Sequence, residues 1–232
     1  VLAQDDALGA GGDQLPYGSR LRALAHLLAA ESAHALQNRE ARELHFQKAM
    51  DVSLRRDAQE TREGVQLRAA RWALDDRDAP AALRWLDDMP QGAARRTIAL
   101  RLRLKAARLA RQTAQALETA RLLAKHRAFS EAAGQSLVRS LALELISGAY
   151  DPAQLQKQWG ALDEAERTMP EVAIAAARRL LVLGGNVELS RHWLLPVWER
   201  MVQGGSAQAP ALSDGQRVKL IQALELGFSL AG

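Results

Sequence analysis

Residues 94–127 read ARRTIALRLRLKAARLARQTAQALETARLLAKHR, and their spacing decides the fold. Ile98, Leu102 and Leu109 fall on one flank of a helix, and Leu100 and Leu104 on the other. Arg101, Lys105 and Arg108 recur at helical steps on a third face. After a turn at Gln112 the pattern restarts, with Leu117 and Ala120 three residues apart. The stretch predicts two helices, over residues 94–111 and 114–127, joined by a tight turn. A helix with apolar residues on two flanks and a polar third stripe suits a position between two neighbouring helices.

Working outward, the same alternation runs along most of the chain. Leu21, Leu24, Leu28, Ala35 and Leu36 predict a helix from Ser19 to Asn38. Leu44, Phe46, Ala49 and Met50 are the inward set of the next one, over residues 39–54. A second pair covers residues 60–75 and 79–89, with Asp78 as cap, Pro80 in the first turn and Pro90 as the stop. A fourth covers 131–146 and 152–165, opened in its second helix by Asp151-Pro152. The fifth covers 170–183 and 187–201, with Thr168 as a cap and Gly184-Gly185 as the left-handed exit. Ser213 and Gln216 have capping-box spacing and open a last helix over 214–230. Pro196 predicts a break near Leu194–Leu195, because it removes a helix hydrogen bond and clashes one turn back.

The hairpin turns fall near Asn38, Arg77, Gln112, Ala149 and Gly185, steps of about 35–39 residues, close to the tetratricopeptide period of ~34. Phe46 with Ala49, and Leu117 with Ala120, match that repeat's bulky residue three before a small one. The expected fold is therefore all-α, a tetratricopeptide-like α-solenoid of about five helical hairpins plus a C-terminal helix. The repeats occupy residues 19–203, a mobile loop 204–212, and a capping helix 213–232. Residues 1–18 read as a flexible segment. Their Gly9-Ala10-Gly11-Gly12 run lacks the preceding strand and βαβ unit that a dinucleotide-binding loop needs.

Composition agrees with this. Of 232 residues, 48% are hydrophobic but only 4% aromatic, so Ala and Leu must build the core. Cysteine is absent, which excludes disulfides, thiolate catalysis and Cys-based zinc sites. The net charge of +4 rests mainly on arginine, with both signs interspersed, and gives a mild bias toward anionic partners. No run of 18 apolar residues occurs.

Candidate chemistry is sparse. His26, His34, His45, His126 and His192 include no pair at the i, i+4 spacing that puts two metal ligands on one helix face. Asp75-Asp76, Asp87-Asp88 and Glu164 with Glu166 fall at helix ends or on solvent faces, without a shared pocket for acid–base work. There is no nucleophile elbow, phosphate loop or kinase signature. No catalytic and no metal-ligating residue is therefore assigned. The informative feature is basic: Arg101, Lys105 and Arg108, with Arg68 and Arg71 on the preceding inner helix and Arg139 and Arg178 on the following ones, would line a concave groove receptive to an acidic segment. Trp193 and Trp198 flank Pro196, and an exposed pair there would anchor a partner.

From Leu21 to Met201 the chain resembles the C-terminal region of the proteobacterial HemY family. The likeness is carried by Leu27-Leu28-Ala29-Ala30 through Phe46-Gln47-Lys48-Ala49, by Ala81-Ala82-Leu83-Arg84-Trp85-Leu86, and by Ala99-Leu100-Arg101-Leu102. It is best from Leu155 through Trp159 and Pro170 to Leu183-Gly184. The sequence departs from the pattern at Pro196 and Gly204–Pro210. The resemblance implies a non-catalytic tetratricopeptide scaffold for protein partners, associated with late haem biosynthesis. It also implies N-terminal transmembrane helices that this chain lacks, anchoring it in the inner membrane with the repeats facing the cytoplasm. Enzymes of haem synthesis are the expected partners, with no cofactor of its own. Haem or a porphyrin held in the basic groove is the alternative. Nucleic acid is a third and less expected partner, since 27 acidic residues stand against 31 basic ones.

Overall fold

The computed structural model describes residues 18–54, 59–207 and 209–231. The first 17 residues, with the Gly9-Ala10-Gly11-Gly12 run and most of the expected flexible segment, lie outside these. Among the described residues there are thirteen helices and no strand, in an all-α helical-repeat fold. The chain divides into two compact units, Val1–Arg111 and Gln112–Gly232.

In the first unit, α1 (Ser19–Ala35) and α2 (Arg39–Ser53) form one hairpin, and α3 (Gln59–Asp75) and α4 (Ala79–Asp87) the next. A single turn, α5 (Gln91–Ala94), leads into α6 (Thr97–Leu109). The turns explain why helices start and stop where they do. Gln37 and Arg77 take the left-handed conformation, with φ of 57° and 58°. The next amide reaches back to the third carbonyl before the helix end, Asn38 to Ala33 at 2.8 Å and Asp78 to Ala73 at 2.7 Å. The same two residues then cap the following helix. The Asn38 Oδ1 accepts from the Ala41 amide at 3.1 Å and the Asp78 Oδ1 from the Ala81 amide at 3.0 Å, each cap stabilising by about 1 kcal/mol. Leu27 and Ala30 of α1, Phe46 and Ala49 of α2, and Val65, Ala69 and Trp72 of α3 make one core cluster. Phe46 meets Trp72 and Trp85 edge-on, at 5.7 and 5.4 Å between centroids, and so ties the two hairpins together.

The second unit contains α7 (Thr113–Lys125), α8 (Glu131–Ser147), α9 (Pro152–Ala161), the single turn α10 (Glu164–Arg167), α11 (Pro170–Val182), α12 (Val187–Gln203) and α13 (Asp214–Ala231). Helix α8 packs against both α7 and α11, and α13 packs against α11 and α12. Ile174 and Ala177 of α11, Leu194 and Val197 of α12, and Leu220 and Ala223 of α13 share a core with Leu212, against which Trp159 packs. Trp159 stacks on Trp193 at 4.6 Å between centroids.

Several expectations change. The stretch quoted first is divided, its two helices falling in different units. Helix α12 runs through Pro196 without a break. Pro196 and His192 one turn back are both exposed, so water can reach the carbonyl that the ring leaves unpaired, while Trp193, Leu194 and Val197 hold the other face. The helix expected over 152–165 ends at Ala161 and restarts at Glu164 behind a capping box formed by Asp163 and Glu166. Thr168 does not cap α11; its hydroxyl donates back to the Glu164 and Ala165 carbonyls, and Met169 takes the cap position. Leu21, Leu24, Leu28, Leu36 and Leu44 are exposed, because the buried face of α1 is Ala23, His26, Leu27, Ala30 and Ala33. After α12, Arg200 donates to the Pro210 carbonyl at 2.7 Å and Leu212 enters the core. The Ser213 and Gln216 capping box forms as expected, at 2.9 and 3.3 Å.

Candidate functional site

Helices α1, α3 and α6 of the first unit together line two concavities. Arg71 and Leu74 of α3 and Ile98, Arg101, Leu102, Lys105 and Leu109 of α6 line a cavity of about 610 Å³, together with Asp75 and Arg77. Arg20 and Leu24 of α1, Thr61, Gly64, Leu67, Arg68 and Arg71 of α3, and Ile98 line a second of about 360 Å³. Arg71 and Ile98 belong to both. The placement follows from the helix period: residues 64, 67, 68, 71 and 74 recur at steps of three and four and so share one face of α3. Apolar walls and cationic rims alternate, since Leu24 and Ile98 are 43% and 46% exposed between the arginines.

The expected basic residues are thus partly brought together. Arg71, Arg101 and Lys105 share one cavity, and Arg68 adjoins Arg71 while pairing with Glu31 at 3.3 Å. Arg108 is exposed on α6 but lines neither cavity. Arg139, half-buried on α8, and Arg178, exposed on α11, belong to the second unit. Sequence reasoning missed Arg20, Arg77, Leu24 and Ile98 as lining residues. The leucine and isoleucine read as core, and the signal against that reading was the row of alanines on the neighbouring face of α1. The tryptophan pair is also corrected: Trp193 is buried against Trp159, and of the two only Trp198 is exposed.

The histidines converge where spacing alone did not suggest. His26, buried on α1, stacks on His45 of α2 with the two Nδ1 atoms 3.2 Å apart. His34 stacks on Trp72 and bridges Asp75 at 3.1 Å through Nε2 and Arg42 at 2.9 Å through Nδ1. A guanidinium can only donate, so Nδ1 accepts and Nε2 carries the proton to Asp75. Both ring nitrogens are occupied, and His34 has no lone pair left to act as a base or ligand in this arrangement. Among the described residues no group of three or more His, Asp or Glu is placed to hold a metal ion.

The second unit uses its arginines differently. Arg121 makes a bidentate contact with Glu166, at 2.7 and 2.6 Å, and donates to the Ala161 carbonyl at 3.1 Å. Glu166 is only 2% exposed, and its hydrogen bonds push the Arg121 guanidinium further up from its ordinary value. Arg179 donates twice to the Ala149 carbonyl, at 3.1 and 2.6 Å, and Arg167 holds the Trp159 and Gly160 carbonyls. The Arg121 pair borders a cavity of about 650 Å³ between α7, α8 and the α10 turn, walled by Ala124, Phe129, Val138 and Met169.

Among the described residues no helix is long and apolar enough to cross a membrane. No protein-family model, no curated protein and no solved structure matches the chain.

Proposed function

We propose that the chain is a non-catalytic, tetratricopeptide-like scaffold whose first unit holds an acidic segment of a protein partner. The observation that carries this reading is the cavity whose lining Arg71, Arg101 and Lys105 share with exposed Ile98. Such a surface suits a peptide that presents carboxylates beside an apolar side chain. Asp75 in the cavity wall and the Glu31 partner of Arg68 interrupt the positive charge, which favours a short acidic peptide over a polyphosphate backbone. The tetratricopeptide assignment is supported by the hairpin period and by the buried Phe46–Ala49 and Leu117–Ala120 pairs.

The finer placement is as the repeat domain of a membrane-anchored HemY-like protein working beside enzymes of late haem synthesis. It rests on the likeness of the segments quoted above. Crosslinking of the full-length, membrane-bound protein tests it directly, with haem-synthesis enzymes as the expected captures. For the groove, Arg71, Arg101 and Lys105 are replaced together by Glu. Captured partners should be lost while the helical circular dichroism spectrum is unchanged; undiminished capture would sink the groove reading.

A further inference from the structure

Helix α12 carries a second surface, unrelated to the basic cavities. Glu188, Arg191, Leu195, Trp198 and Val202 follow one another at alternating steps of three and four residues, so they lie on one face. Leu195, Trp198 and Val202 are 46%, 41% and 65% exposed. The opposite face, with Trp193, Leu194 and Val197, is already in the core. The seam extends to α13, where Arg191 lies 4.4 Å over the ring of Phe228, itself exposed. Alternating three- and four-residue spacing of large apolar side chains is the pattern that receives another helix by knobs into holes.

The residues beside the seam say which helix that is. Leu194 and Met201 flank it toward the protomer's own core. His192 and Glu199 flank it on the open side, seven residues apart, both exposed and without a hydrogen bond or ion pair among the described residues. A second copy of α12 laid antiparallel about a two-fold axis between Leu195 and Trp198 matches this. It sets Leu195 against Trp198 of the second copy, and Arg191 beside Val202. The same operation brings His192 next to Glu199 on both sides of the axis, so the surface is complementary to itself. We propose that this seam is the two-fold interface of an antiparallel homodimer.

Sedimentation velocity over a range of protein concentrations tests the proposal. A reversible monomer–dimer equilibrium is expected. Trp198→Glu should weaken it at least about tenfold, since a central exposed Trp is the kind of side chain that dominates such interfaces. Because Trp198 lies outside the core, the variant should keep the wild-type helical signal and melting temperature. His192→Glu and Glu199→Lys should each weaken the dimer, and the double variant should restore it, which only an antiparallel pairing of these two residues predicts. A chain that stays monomeric at every concentration overturns the proposal. So does an open-ended series of larger species, which signals head-to-tail stacking, or a dimer indifferent to Trp198→Glu.

Discussion

The first unit carries 17 arginines and the second 9, and the two units also use that arginine in different ways. In the second unit Arg121, Arg167 and Arg179 reach across to carbonyls at the ends of α8 and α9 and to buried Glu166. Those guanidinium groups replace water at backbone acceptors that a helix terminus leaves unpaired. In the first unit Arg71, Arg101 and Lys105 line an open cavity, and Arg42, Arg68, Arg96 and Arg103 pair with carboxylates at the surface. Surface pairs of this kind add little stability. The lesson is that arginine content alone says nothing about a binding face. What matters is whether the guanidinium closes over acceptors of the chain itself or lines an open cavity.

The contrast can be broken most forcefully at Arg121. Replacing it with Ala leaves the Glu166 carboxylate buried without its cation and should lower unfolding free energy by about 2–4 kcal/mol in a urea melt. A loss under about 1 kcal/mol would mean that the clamp is ornamental. Next comes the turn between α11 and α12. A Cβ at Gly185 would collide with the Leu180 side chain, with the Leu180 carbonyl oxygen at 2.9 Å. Gly185→Ala should therefore cost about 1–3 kcal/mol, outweighing the fraction of a kcal/mol gained from a stiffer unfolded chain. The equivalent turn in the first unit should respond with the opposite sign. Gln37 holds a φ of 57° with a side chain attached, and Gln37→Gly should raise the melting temperature, by about 0.5–1 kcal/mol in free energy. The smallest effect belongs to the cavity. Replacing Arg71, Arg101 and Lys105 with Glu should shift stability by less than about 0.5 kcal/mol per substitution. A large loss would show that these cations hold the fold together, as they do in the second unit.

The helix ends were legible in the sequence because they are chemical. Asp78, Asp151, Ser213 and Gly184 announce a helix end by what their side chains can or cannot do, and the structure uses each accordingly. Faces were harder to read. In α1 a stripe of leucines and a stripe of alanines compete, and the alanines won the interior because they let α2 approach closely. Large residues were then left on the outside, where Leu24 became part of a cavity wall. The Asp163–Glu166 box carried a readable signature, but it was hidden inside what looked like one continuous helix. Contacts between residues far apart in sequence were not legible at all. Nothing local marks His45 as the neighbour of His26, or Glu166 as the partner of Arg121, since each pairing depends on how two helices cross.

Asn38 and Asp78 each close one helix and open the next. That double duty has an evolutionary consequence. Substitution in such a turn is tolerable wherever another short polar side chain can accept the same amide. A change of length is not, because one added residue separates the two roles and swings the following helix about 100° off its seat. Variation in this architecture should therefore accumulate as altered side chains within turns of constant length, and the chain should grow or shrink only by whole hairpins.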